Sequence, residues 1–217
     1  SFDAREQWGE LIHPVRDQGR CGSCWAFGAT EAFSDREGVQ NNLNLVLSPQ
    51  QLVSCDNRNY GCNGGYLNKA WDFMHENGVV TDECYPYTSG TTQKDGECYD
   101  HCVGNDPTWD PHFTGSTYTT TSVSKTEQTI FQNGPVEAAF TVYEDFMNYK
   151  SGIYQHTSGR MLGGHAIKCI GWGVENGVEY WIMQNSWTPQ WGDNGYFKIM
   201  KGDCGINNQM TFADAKN

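Results

Sequence analysis

The chain has 217 residues, enough to bury a core of ordinary size as one large domain or as two lobes of about a hundred residues each. Its formal net charge of −12 argues against a nucleic-acid or anionic-membrane partner, both of which call for basic surfaces. No stretch approaches the roughly 18 apolar residues of a membrane-spanning helix, and the opening "SFDAREQW" lacks the basic start and apolar run of a targeting peptide, so the chain reads as a soluble, processed form.

Taken in chain order, "CWAFGATEAFSDREG" places Ala26, Ala29 and Phe33 near the helical period and predicts a helix from Cys24 that ends at Gly38. Ser48-Pro49-Gln50-Gln51 predicts a second helix, with Ser48 as N-cap, Pro49 in the first turn and Gln51 completing a capping box. A third runs from about Tyr66, since Leu67, Ala70, Trp71 and Met74 share one helical face, and Gly78 stops it after Asn77. A composition shift over "GNDPTWDPHFTGS" marks a boundary. Beyond it, Ser124-x-x-Glu127 signals one more helix, followed by strand-like runs "PVEAAFTVY", "HAIKCIGW", "EYWIMQNSW" and "GYFKIMK". Asn176-Gly177 between two of these suits a hairpin turn. The chain thus divides into a helical lobe over residues 12–110 and a β-rich lobe over 111–217, with residues 1–11 expected to pack across. A cleft between unlike lobes is a favoured place for a site.

Nine cysteines are many for a cytosolic protein of this size, and seven fall before residue 103 among Gly- and Asn-rich turns. That density points to disulfides in an oxidising compartment, and the odd count leaves at least one thiol free. Cys21 and Cys24, in "RCGSCWAF", admit three chemistries. A redox dithiol requires a βαβ context, but the preceding "LIHPVRDQGR" holds Pro14 and no strand-length apolar run. A zinc site requires a second close pair of ligands, which Cys98-x3-Cys102 offers. In the third reading Cys21 leaves for a distant disulfide, while Cys24 faces a cleft as a nucleophile, its thiolate favoured by the partial positive charge of a helix N-terminus. This reading requires a base and a group to orient it. His165 in "LGGHAIKC" and Asn185 in "MQNSW" are available in the β-rich half.

Cys-Gly-Ser-Cys-Trp with distant His and Asn is the signature of papain and the cathepsins. On this motif and on "SFDAREQW", "EAFSDR", "GCNGGY", "NGPVEAAFTVY", "YKSGIYQH", "GGHAIK", "GWGVENG" and "WGDNGYFKI", in order over nearly the whole length, the chain resembles the papain family of cysteine proteases, in its cathepsin B branch. The resemblance implies an α+β, papain-like two-lobe fold, with a helical, disulfide-rich left lobe, an antiparallel β-barrel-like right lobe and the active site between them. It implies a cysteine endopeptidase that uses no cofactor and no metal. Cys24 and His165 would form a thiolate–imidazolium pair, Asn185 would fix the imidazole, Trp187 would shield that bond, and Gln18 would join the Cys24 N–H at an oxyanion. The alternatives are a catalytically retired peptide-binding relative on the same scaffold and a thiol-disulfide oxidoreductase.

By the same resemblance, substrate contacts fall to Gly22, Ser23, Gly64, Gly65, Gly164 and Trp187, with Tyr66, Leu67, Ala166 and Gln209 around an adjacent pocket. Leu67 stands where the cathepsin B pattern has proline, and "CGINNQ" puts neutral Gln209 where that pattern has glutamate. The implied disulfides are Cys21–Cys62, Cys55–Cys98 and Cys84–Cys102, which leave Cys24, Cys169 and Cys204 unpaired, with Cys169 a buried small hydrophobe. Where cathepsin B carries a long insertion with adjacent histidines, the segment Cys84 to Cys98 is short and has no histidine; His101 and His112 are expected on the solvated surface. Implied partners are peptide and protein substrates, a propeptide that inhibits before processing, and cystatin-type or epoxide inhibitors, acting on a monomer. Nucleic acid and membrane are excluded as partners. The implied location is the secretory pathway, in a lysosome-like acidic vesicle or outside the cell.

Overall fold

Short polar side chains start three of the helices by taking up a free N–H group of the first turn. In the computed structural model, which describes residues 1–216, Ser48 Oγ accepts from the Gln51 N–H and Pro49 follows as the first helical residue of α3 (Pro49–Cys55). Gln51 does not complete a capping box: its side-chain oxygen accepts from the Val80 N–H at 2.8 Å, tying the helix to the extended segment beyond the next one. The remaining elements are β1 (Phe2–Asp3), α1 (Ala4–Trp8), α2 (Cys24–Asn41), α4 (Leu67–Glu76) and the single turn α5 (Ser89–Thr92), then β2 (Tyr118–Thr120), α6 (Val123–Asn133), β3 (Val136–Tyr143), β4 (Ile153–Tyr154), β5 (Met161–Glu175), β6 (Val178–Gln184), β7 (Tyr196–Met200) and β8 (Met210–Phe212).

Two helix boundaries differ from the sequence expectation. α2 runs through Gly38, whose bare Cα lies against the Leu11 side chain, and ends only where Asn42 turns left-handed at φ 55°. α6 is capped by Ser122 rather than Ser124, with Ser122 Oγ accepting from the Lys125 N–H at 3.1 Å. The hairpin at Asn176-Gly177 forms as its residues require, both with positive φ, joining β5 to β6.

The strands form one sheet in the order β2-β8-β3-β5-β6-β7-β4, with β1 added to β5. The sheet is open, which corrects the barrel-like expectation: its end strands β2 and β4 are too short to make a closing ladder, and β4 runs parallel to β7 while the other pairs are antiparallel. One apolar core gathers Trp25, Phe33, Leu52, Trp71 and Met74 from the helices. Another gathers Val136, Phe140, Ile167, Trp181 and Phe197 from the sheet and is covered by Ile130 of α6. The chain crosses between them at both ends, because Phe2 pairs with Trp172 of β5 while Ala213, just past β8, sits in the helical core.

Between the two cores lies α2, buried from Trp25 to Gly38 on every side. Two of its charged residues, Arg36 and Asp35, find their partners in the sheet half. Arg36, fully buried, donates to the carbonyls of Pro135 at 2.7 Å, Gly134 at 3.1 Å and Ala213 at 3.2 Å. Asp35 accepts from Lys168 Nζ of β5 at 2.5 Å, with neither side chain exposed, and its other oxygen is 2.8 Å from His13 Nδ1. Lys168→Met leaves the Asp35 carboxylate buried and short of its main countercharge, so urea unfolding should report a loss of about 3–5 kcal/mol, and Asp35→Leu with Lys168→Met should recover much of it. A single variant as stable as the parent would show that this pair does not hold the helix to the sheet.

Candidate active site

α2 begins at Cys24 because the turn before it is fastened on both sides. Cys21 is bonded to Cys62, and the Gly22 N–H donates to the Cys62 carbonyl at 2.8 Å in an approach that leaves no room for a Cβ on Gly22. Ser23 is the N-cap residue but does not cap: its Oγ lies 2.9 Å from the Tyr87 hydroxyl. The first turn of a buried helix therefore keeps its N–H groups free of a side-chain cap beside the thiol.

β5 supplies the facing residues through its alternation. His165, Ile167 and Cys169 point into the sheet side, Ile167 and Cys169 within its core and His165 edge-on to Phe140. Ala166 and Lys168 point at α2: the Ala166 N–H lies 3.5 Å from Cys24 Sγ, and Lys168 holds Asp35. The His165 Nε2 is 2.7 Å from Asn185 Oδ1, which also accepts from the Ser186 N–H at 2.8 Å. An oxygen already accepting from a backbone N–H makes Nε2 the donor, so Nδ1 is the ring nitrogen that can take a proton. Trp187 stacks on the imidazole with centroids 4.6 Å apart, and Asn185 is wholly buried. Burial lowers the His165 imidazole to about 4 against the raising effect of Asn185, and burial raises the Cys24 thiol against the backbone N–H groups that face it.

Gln18 is held from both halves. Its Nε2 donates to the Cys21 carbonyl at 3.0 Å, its Oε1 accepts from Ser186 Oγ at 2.6 Å, and its own carbonyl accepts from Tyr87 OH at 2.6 Å. One Nε2 hydrogen is left over.

Cys24 and His165 line a cavity of about 250 Å³, walled from the helical half by Gly64, Gly65, Tyr66 and Leu67 and from the sheet half by Gly164, Ala166 and Gln209. Gly65 lies on the Trp25 indole so closely that a Cβ there would sit 2.6 Å from the ring. Gln18, Gly22, Ser23, Asn185 and Trp187 are not part of that wall. Sequence reasoning missed Ala139, which lines the cavity from β3 opposite Ala166, and the hydroxyls of Tyr87 and Ser186 that orient Gln18. An alanine in an alternating strand carries no chemical mark, so only strand register identifies it.

The sulfurs of the zinc and dithiol alternatives do not converge: Cys21 is bonded to Cys62, Cys98 to Cys55 and Cys102 to Cys84. Cys169 is buried and its thiol raised to about 12 by burial. His101 is exposed beside Asp100, whereas His112 is not on the solvated surface as expected: its Nδ1 is 2.7 Å from Glu37 Oε2 of α2, which raises its pKa. Cys21→Ala opens a bridge spanning 41 residues and should lower the unfolding free energy by about 2–5 kcal/mol, whereas Cys24→Ala removes a sulfur with one long contact and should leave stability close to the parent. Equal losses in urea unfolding would contradict this division between the two cysteines.

Residues 1–213 match the family model described as papain family cysteine protease. The chain is 43% identical over 225 residues to "Cathepsin B" of Dictyostelium discoideum, covering 97% of this chain and 72% of that protein. It is 44% identical over 220 residues to "Cathepsin B-like CP3" of Giardia intestinalis, with the same shares covered. Among solved structures, proCathepsin B S9 from Trypanosoma congolense superposes with a TM-score of 0.94 at 31% identity, covering 100% of this chain and 77% of that one. Procathepsin L2 from Tenebrio molitor larval midgut follows the same fold at a TM-score of 0.86 and 32% identity, over 99% of this chain and 67% of that one. This chain belongs to the papain family of cysteine proteases.

Proposed function

We propose that this protease is an endopeptidase in which Cys24 is the nucleophile and His165 the acid and base. The observation that carries the reading is the His165 imidazole held by Asn185 at 2.7 Å, on the residue adjoining the Ala166 N–H that meets Cys24 Sγ. Burial opposes charge on either group taken singly. Moving the proton from Sγ to Nδ1 forms both charges together, so each offsets the other's desolvation, and Asn185 Oδ1 favours the imidazolium. The thiolate attacks the scissile carbonyl carbon, and the developing oxyanion is taken by the Cys24 N–H and the spare Nε2 hydrogen of Gln18. Nδ1 gives its proton to the leaving amine, and a thioester to Sγ remains. Water then gives a proton to Nδ1 as it attacks the thioester, and the acid leaves with Cys24 restored.

Gly64, Gly65 and Gly164 offer backbone to an extended peptide, and Trp187 covers the His165–Asn185 hydrogen bond. The lobes divide near residue 110, and the three disulfides support an oxidising compartment such as the secretory pathway or an acidic vesicle. Relatives solved as proforms support association with a propeptide before processing. Among the described residues no helix is long and apolar enough to cross a membrane.

Pocket chemistry bears on substrate choice. Gln209 shares the cavity with Tyr66, Leu67 and Ala166, and a neutral amide bonds an arginine about half as strongly as a carboxylate does. The enzyme should prefer apolar or small residues over arginine at the second position before the cut, and Gln209→Glu should raise kcat/KM on an Arg-Arg fluorogenic peptide by about five- to tenfold. A strong Arg-Arg preference in the parent would overturn this.

Cleavage mode follows from where residues 84–98 lie. Gln50 Nε2 and Ser54 Oγ of α3 both donate to the Asp95 carbonyl, at 3.1 and 2.6 Å, and the Cys62 N–H donates to Asp95 Oδ1 at 2.9 Å, so the segment is pinned against the helical half. With no pair of histidines among the described residues set to receive a terminal carboxylate, a free C-terminus gains nothing. Mass spectrometry of a peptide digested in free-acid and amidated forms should show the same internal cuts at similar rates. Stepwise loss of C-terminal dipeptides from the free acid alone would refute the endopeptidase reading, and no turnover in the parent, or full turnover in Cys24→Ala, would refute the nucleophile.

A further inference from the structure

Five Asn-Gly pairs stand in the chain, with asparagines at 63, 77, 133, 176 and 194. In such a pair the glycine N can attack the asparagine Cγ and close a five-membered ring, because no Cβ on the glycine obstructs the approach. The fold decides which pairs are open to this. The N–H groups of Gly78, Gly134 and Gly195 donate to the carbonyls of Met74 at 3.1 Å, Ile130 at 3.1 Å and Trp191 at 2.8 Å, and all three glycines are buried. Two pairs lack that protection. Asn176 and Gly177 lie exposed in the turn between β5 and β6, and the Gly177 N–H makes no hydrogen bond among the described residues. Asn63 is exposed as well, and Gly64, at φ 105°, has open space where a Cβ would stand. The short bridge between Asn63 and Gly22 closes through the Gly22 N–H on the Cys62 carbonyl at 2.8 Å, and the Gly64 N–H meets no acceptor at hydrogen-bond geometry among the described residues. Side chains bind the backbone on either side, Asp95 Oδ1 accepting from the Cys62 N–H at 2.9 Å and Asn59 Oδ1 from the Tyr66 N–H at 2.7 Å, but the Asn63 amide itself makes no hydrogen bond among the described residues.

The first of these two pairs differs from the second in its place. Gly64 lines the cavity at Cys24, and residues 176 and 177 do not. We propose that Asn63-Gly64 is a site of spontaneous deamidation, through which the enzyme alters its own cleft and loses activity with age. The Gly64 N gives up its proton and attacks Asn63 Cγ, the side-chain nitrogen leaves as ammonia, and a succinimide remains. Water then opens the ring. Attack at Cγ gives aspartate, whereas attack at the main-chain carbonyl of residue 63 gives isoaspartate, in which the peptide link runs through Cβ and Cγ and the main-chain carboxylate is set free. Either product adds a negative charge beside the cavity, and isoaspartate also adds one atom to the main chain. That atom enters a stretch held at both ends: Cys62 is bonded to Cys21, the Gly64 carbonyl accepts from the Tyr60 N–H at 3.0 Å, and Gly65 lies against the Trp25 indole. Gly64 must take up the extra length, so the wall it forms is displaced. The consequence for turnover rests on the proposed role of Gly64 and Gly65 in offering backbone to a substrate; the chemistry at Asn63 does not.

Cys24→Ala protein stored at mildly alkaline pH, then mapped by mass spectrometry with isoaspartyl methyltransferase labelling, should show isoaspartate at 63 and 176 and none at 77, 133 or 194. The parent, stored in the same way with Cys24 reversibly blocked as a mixed disulfide and then released, should lose kcat/KM about fivefold on full conversion, the loss expected for one backbone hydrogen bond to the substrate. Asn63→Gln, whose longer side chain would have to close a six-membered ring, should hold its activity through the same storage. Asn176→Gln should decay as the parent does. A map without isoaspartate at 63, whatever 176 shows, overturns the site. Activity that falls equally in the parent and in Asn63→Gln, or that stays level in the fully converted parent, overturns the effect on the cleft. Absence of turnover in the fresh parent would count against the catalytic reading alone, since the map on Cys24→Ala still decides the site.

Discussion

A helix buried on all sides that nevertheless carries Glu31, Asp35, Arg36 and Glu37 has few ways to sit in a protein. Asp35, Arg36 and Glu37 each meet a partner at a fixed place, since an unpaired charge in the interior costs more than any local packing returns, whereas Glu31, whose Oε1 has no partner, is pushed by burial toward its neutral form. Arg36 finds the carbonyls of Pro135 and Gly134 before β3, and Asp35 finds Lys168 on β5. On the sheet side, Glu137 of β3 accepts from the Trp71 indole of α4 at 2.9 Å. Apolar contacts alone would tolerate a slide of α2 along the sheet. These polar contacts do not, and in this chain they set the register between its two cores.

That register is what the cleft depends on. Lys168 and Ala166 project from the same face of β5, so the ion pair that fixes Lys168 against Asp35 also fixes the Ala166 N–H against the first residue of the helix. His165, on the opposite face of the same strand, arrives with its orientation set from the other direction by Asn185 and Trp187. Neither half contains the site by itself. Gln18 shows the same division, its amide gripped by Cys21 on one side and Ser186 on the other.

Much of this could be read from residue types. A thiol at a helix start, a histidine in a strand and an asparagine beside tryptophan carry their chemistry in their side chains, and the periodicities of α4 and of β3, β5, β6 and β7 are strong enough to survive tertiary context. The failures share a cause. β1, β2, β4 and β8 have two or three residues each and exist only because a distant strand accepts them, so no local pattern announces them. Ser122 and Ser124 are chemically equal as caps, and the choice falls to where Ile130 must point to cover the sheet core. His112 looked solvated because its partner Glu37 lies 75 residues away in sequence.

The two crossings of the chain ends run in opposite senses. Phe2 is laid on the sheet and Ala213 in the helical core, while the Ala215 N–H donates to Gln40 of α2. Like straps drawn from opposite sides of a buckle, they resist a hinge that would swing the halves apart, because widening the cleft would strip one end from β5 and the other from its pocket at once. The width of the gap between the halves is therefore set when the chain folds, and in the proposed reading accommodation to different substrates falls to side chains that line the cavity, such as Tyr66 and Gln209, rather than to movement of the halves.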